Sequence, residues 1–192
     1  MNTGSKTTRS IVMCALLSAI VLVFQYMGSF IKFGPFSVSL VLVPIVIGAA
    51  VCGTKASAWL GFVFGLAVLI SGDAAAFMVV SPLGTVLTVL VKGVLCGLAA
   101  GIVYNAIKNH SAYGAVILSA IVCPIVNTGV FLIGCKLFFM SLINDWAQVA
   151  GFADNAGLYM IVGLVGFNFL FEMLVNVLLS PIILRLLKIK NN

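Results

Sequence analysis

Residues 82–107 read PLGTVLTVLVKGVLCGLAAGIVYNAI. This run holds a single charged side chain, Lys92, in an otherwise apolar stretch. A helix needs roughly 20 apolar residues to cross the hydrocarbon core of a bilayer, so the run is long enough to span it with tilt. Gly93, Gly97 and Gly101 recur at four-residue spacing, and Ser57, Gly61 and Gly65 form a matching row upstream. Rows of small residues let helix backbones approach closely in lipid, where packing replaces the hydrophobic effect as the source of association. The pattern predicts a compact bundle of membrane helices.

The rest of the chain extends this reading. Cutting at charges, prolines and polar clusters gives expected spans at 10–31, 37–53, 56–72, 82–107, 112–136 and 158–187. Hydrophobic residues make up 63% of the 192 and charged residues only 7%. The mean hydropathy is +1.29. These values lie far outside those of a water-soluble domain and make lipid the solvent. The fold class expected is therefore an all-α integral membrane protein, one transmembrane domain over 1–192 forming a compact six-helix bundle. Six spans with short loops leave no room for an ATPase domain, and no Walker-type run ending in Lys-Ser or Lys-Thr occurs. Any step driven by nucleotide hydrolysis would need partner chains.

Six spans place both termini on one side. With them go the turn at Lys55 and the loop at Lys108 to His110. That side holds Lys6, Arg9, Lys55, Lys108, Arg185, Lys188 and Lys190, and no acidic residue. Lys32, Lys92 and Lys136 fall on the other face or in the spans, with Asp73, Asp145, Asp154 and Glu172. The asymmetry predicts cytoplasmic termini. It also accounts for the net charge of +6 through the membrane surface, without nucleic acid. The N-terminal apolar run exceeds a signal-peptide core and lacks a clear cleavage site, so it is expected to remain as the first span. Cys14, Cys52, Cys96, Cys123 and Cys135 form no C-x-x-C pair and read as small packing residues, with no metal site or disulfide framework. The longest connection, 137–157, carries Phe138, Phe139, Trp146 and Phe152 among polar residues. It reads as an interfacial segment anchored by aromatics or as a lid over an external pocket.

Ionisable side chains inside a bilayer cost at least about 2.5–3.5 kcal/mol on insertion scales, so each asks for a partner or a polar cavity. Lys92 and Glu172 stand out. At 1.5 Å per residue they lie roughly 15 Å and 21 Å from the external ends of their spans, and Asn127 roughly 13 Å from the end of its own. They are placed to meet or to face one cavity. Asn168, Glu172 and Asn176 follow at four-residue intervals and share one face of the last helix. One reading is a buried Lys-Glu pair with asparagines bonding across helices, holding the bundle together and binding nothing. The other is a pocket in which the lysine attracts an anionic group and the asparagines both donate and accept. No nucleophile, base and orienter set is visible, His110 is a lone loop histidine, and no catalytic residue or cofactor is indicated.

Several stretches together resemble the substrate-binding, or S, components of energy-coupling factor (ECF) vitamin importers. They are Thr8 to Ala19, with basic residues leading into Ala15-x-x-x-Ala19; Val43 to Ala49, then Gly53 and Gly61 to Gly65; Pro124 to Thr128; and Asn168 to Pro181. The resemblance covers nearly the whole chain. It implies a high-affinity vitamin binder in the cell membrane, without its own ATPase, working with one transmembrane coupling subunit and two cytoplasmic ATPases. In that family the S component is thought to tip over in the membrane with its occluded substrate. By the same analogy Ala15 and Ala19 would dock on the coupling subunit. Lys92, Asn127, Asn168 and Glu172 are the substrate-binding candidates, chosen on depth and chemistry, and the vitamin group suggested is pantothenate, folate or riboflavin. Two rival readings remain at this point. One is an ion-coupled secondary transporter using Glu172 as its proton-coupling carboxylate, although no internal repeat is apparent. The other is a structural subunit whose polar residues only join helices.

Overall fold

The computed structural model describes residues 3–29, 32–33, 36–37, 40–152 and 155–191, with side chains described for 8–29, 40–152 and 155–185. Asp154, the span ends at 30–31 and 38–39, and the side chains of Lys6, Lys32, Lys188 and Lys190 lie outside the described residues. Helix α1 (Thr3–Ser29) leads into two two-residue strands, β1 (Lys32–Phe33) and β2 (Phe36–Ser37), which pair antiparallel with Lys32 opposite Ser37. Then follow α2 (Leu42–Val51), α3 (Thr54–Ser71), α4 (Ala75–Val80), α5 (Pro82–Ile107), α6 (Ala112–Phe138) and α7 (Met140–Val149). The final span is composite: a single turn α8 (Ala156–Leu158), a π-helical stretch over Tyr159–Gly166, and α9 (Phe167–Asn191).

Five segments are long and apolar enough to cross a membrane: Thr8–Ser29, Thr54–Ser71, Pro82–Ile107, Ala112–Phe138 and Ala156–Arg185. The architecture is an all-α membrane bundle of these five helices around a shorter sixth. Helix α2 has 10 residues, about 15 Å of rise, where the apolar pattern predicts a span over 37–53. Its helix starts late because the chain first pairs as β2, and Pro44 sits in the first turn of α2, where no intrahelical N–H is needed. It ends before Gly53, whose φ of 93° suits only glycine. Seven of its residues, Leu42 to Val46 with Gly48 and Ala49, are buried. An apolar helix enclosed on nearly all sides needs no membrane-length exterior.

The glycine rows meet. A methyl group on Gly61 would run into the Gly93 carbonyl, one on Gly93 into the Gly61 carbonyl, and one on Gly97 into that of Ser57. Ser57 Oγ donates to the Gly97 carbonyl at 2.7 Å, and Asn105 Nδ2 donates to Thr54 Oγ1 at 2.7 Å lower on the same seam. The α3–α5 contact is thus backbone against backbone. Ser81 and Ser111 start α5 and α6, each accepting from the N–H three residues on.

The 137–157 connection forms α7, an amphipathic helix with Ile143 and Ala147 buried and Asn144, Asp145 and Gln148 exposed. Phe77 of α4 touches three rings, those of Phe131, Phe139 and Trp146, at centroid distances of 5.7, 4.9 and 5.7 Å. This aromatic knot ties α4, α6 and α7 into a cap at one end of the bundle.

Candidate functional site

Close packing on one side of α5 determines what the other side presents. Gly93 is pressed against α3, and Lys92, one residue before it, is turned about 100° round the helix. Its Nζ lies 5.4 Å from the centroid of the Phe64 ring and 5.2 Å from that of Phe131. Both distances are within the range of cation–π attraction, which offsets part of the cost of a lysine at this depth.

Asn127, Thr128 and Phe131 come from α6, just beyond Pro124, which lies inside the helix. From the last span, Leu164 and Val165 of the π-helical stretch and Asn168, Phe169 and Glu172 of α9 face the same space. Asn168, Glu172, Asn176 and Ser180, spaced by four, are all buried. The expected polar face of the last helix is therefore turned inward.

These groups line one half-open cavity. Lys92, Asn127, Asn168 and Glu172 all line it. Sequence reasoning placed Lys92 and Glu172 either together or around one cavity, and they share one. Three polar lining residues escaped it: Gln25, Asp73 and Thr128. Gln25, only 2% exposed, donates through Nε2 to Asp73 Oδ2 at 2.5 Å and to Ser71 Oγ at 3.4 Å. This links the end of α1 to the turn after α3. Phe77, Phe131 and Phe169 supply aromatic wall. The sequence groups Asp73 with the acids of the other face and the spans; the left-handed Gly72, at φ 81°, ends α3 and folds the chain back so that Asp73 enters the cavity wall.

The polar atoms of this wall are unevenly satisfied. Asn127 Oδ1 and Asn168 Oδ1 are buried and have no hydrogen-bond partner, while their side chains are 5% and 9% exposed. A buried acceptor left unpaired costs about 1–3 kcal/mol. Both asparagines belong to the cavity wall, with these two oxygens closed off from its open space. Asn176 Oδ1 and Thr88 Oγ1 are likewise unpartnered, outside the cavity lining.

Ala15 and Ala19 take no part in this site. Both are exposed on α1, on the flank where Ile11, Val12, Leu16 and Val23 are 54–64% exposed. Leu17, Val21 and Gln25 point inward from the opposite flank. One helix thus carries a cavity-lining face and an open apolar face.

The family model described as "ECF transporter, substrate-specific component" matches residues 9–184. No curated protein and no solved structure matches the chain.

Proposed function

Because the chain belongs to the substrate-specific components of ECF transporters, we propose that it captures a water-soluble vitamin of the pantothenate, folate or riboflavin kind outside the cell and delivers it to the cytoplasm. Membership makes the chain a multi-pass membrane subunit of a transporter, not an enzyme, and implies association with a coupling subunit and ATPases. The finer assignment has one coupling subunit and two cytoplasmic ATPases, in the cytoplasmic membrane, with both termini inside. The observation that carries the capture reading is the convergence of Lys92, Asn127, Asn168 and Glu172 from three helices on one cavity.

Docking is assigned to the open flank of α1, centred on Ala15 and Ala19, whose small side chains admit a partner helix closely. Native mass spectrometry of the chain purified alone in detergent, followed by titration with a panel of water-soluble vitamins, tests the capture role. A retained vitamin supports it, and no binding across the panel overturns it. Ala15→Trp or Ala19→Trp is expected to abolish uptake into cells or proteoliposomes containing the full transporter while leaving vitamin affinity within twofold. Loss of binding instead would remove the docking assignment.

A further inference from the structure

Asp73, Ala74 and Phe77 line the cavity, on a segment with little of its own to hold it in place. From Ala74 to Val80 only Ala74 and Phe77 are buried, while Ala75, Ala76, Met78, Val79 and Val80 are exposed. Helix α4 has six residues, far fewer than the roughly 12–15 at which an isolated helix becomes even marginally stable in water. Its placement is therefore imposed from its ends. At one end Phe77 is gripped by Phe131, Phe139 and Trp146. At the other stands Gly72, left-handed at φ 81° and with open space where a Cβ would sit, so nothing packed on Gly72 itself fixes the turn.

Gln25 supplies that restraint. Its amide nitrogen carries two hydrogens and meets two acceptors, Ser71 Oγ on one side of Gly72 and Asp73 Oδ2 on the other. Ser71 Oγ passes its own proton to the Val68 carbonyl at 3.2 Å, so the hydrogen bonds run in one direction from α1 into α3. Asp73 is also attracted by Lys92 in the same wall, and the contact with Gln25 is one of its interactions. Gln25 is almost fully buried, which keeps water from taking its place as donor.

We propose that Gln25 is a positioning residue for the capture role given above, on which this inference rests: its amide clasps the chain on both sides of Gly72 and so sets Ala74 and Phe77 in the cavity wall. Loosening the clasp lets this part of the wall move away from a bound molecule, and the loss falls mainly on the dissociation rate.

Hydrogen–deuterium exchange of the full chain in detergent tests the clasp without ligand. The reporters are the amides of Ala75 and Phe77, bonded to the Gly72 and Ala74 carbonyls at 3.0 and 3.1 Å. In the wild type they are expected to exchange at least tenfold more slowly than in an unstructured peptide, and unprotected amides overturn the proposal even if no variant folds. Gln25→Leu is expected to speed their exchange at least fivefold with α5 unchanged. No change there overturns the clasp, and so does an equal rise throughout the bundle, which would make Gln25 a general packing residue. Binding kinetics with the vitamin that the wild type retains connect the clasp to capture. Gln25→Glu sets two carboxylates against each other and is expected to raise the dissociation rate at least tenfold. Adding Asp73→Asn exchanges amide and carboxylate between the two positions, keeps the number of carboxylates in the wall, and is expected to return the rate to within threefold of wild type. No recovery in the folded double variant overturns the positioning role and leaves Gln25 as a direct contact of the ligand. A wild type that retains no vitamin overturns the capture role and the positioning role with it, whereas vitamin retention with unprotected amides overturns the clasp alone.

Discussion

The two sides of α5 are built on opposite principles. Toward α3 its surface is Gly93, Gly97 and Gly101, pressed on Gly61 and Ser57 with no room for a methyl group. Toward α6 and the last span it presents Lys92 to a cavity whose walls hold two acceptors without partners. The first side gives up side chains to gain contact, and the second gives up contact to keep unsaturated polar groups. Stability and binding are therefore separable along a single helix, and substitutions on the two sides have opposite signs.

The largest effect is expected on the seam. Gly93→Val places carbon where the Gly61 carbonyl already stands, and helix separation is the only relief. Overpacking of this kind costs about 1–3 kcal/mol or more, and the variant should fail to give a monodisperse peak on size-exclusion chromatography or melt at least 10 °C lower, on the order of what a few kcal/mol produces. A normal melting curve would mean that α3 and α5 are not in backbone contact. Next comes the cavity wall. Asn127→Leu and Asn168→Leu remove a buried acceptor that has no partner, so the ligand-free protein should be unchanged or stabilised by about 1 kcal/mol. Ligand affinity should fall at least tenfold, about 1.4 kcal/mol. Thermal shift with and without ligand reads both changes together, and destabilisation of the ligand-free form would indicate that these amides join helices.

Lys92→Met is expected to have a smaller effect of defined direction. It keeps bulk between Phe64 and Phe131 and removes an ammonium from the cavity wall, so affinity for an anionic probe should fall about threefold relative to its uncharged analogue, equivalent to about 0.6 kcal/mol. Calorimetry on one matched pair checks this, and an unchanged ratio would place Lys92 away from the bound molecule's charge. The smallest effect belongs to Ser57→Ala, which removes the hydrogen bond to the Gly97 carbonyl. Interhelical hydrogen bonds in membrane proteins average about 0.6 kcal/mol, so a shift of a few degrees at most in the melting temperature is expected.

The legible part of this molecule was whatever membrane burial makes expensive or close packing makes necessary. Lys92 and Glu172 stood out because an ionisable group in an apolar run demands an explanation. The glycine rows stood out because their spacing matches the helix. Gln25 and Asp73 were not legible as site residues, since neither is anomalous where it stands: Gln25 is one polar residue near a span's end, and Asp73 belongs to a turn. What brings them to the cavity is the left-handed Gly72 and the hydrogen bond between them, a relation between residues 48 positions apart. The brevity of α2 was hidden for a similar reason, because an apolar run of 17 residues looks alike whether its start pairs as a strand or winds as a helix. Phe77 was invisible as the hub of the cap, for its partners come from α6 and α7.

The stretch Tyr159–Gly166 has the wider winding of a π-helix, and it stands directly ahead of the buried row Asn168, Glu172 and Asn176. Over eight residues such winding lags an α-helix by on the order of one residue's step, about 100°. Pitch here acts as gearing: tightening these turns to α would swing the polar row out of the cavity and bring a neighbouring row, which includes Phe167 and Phe171, round in its place. A single-residue deletion within the stretch would compensate the tightening and restore the phase, so the chain can lose a residue there more cheaply than it can change its winding.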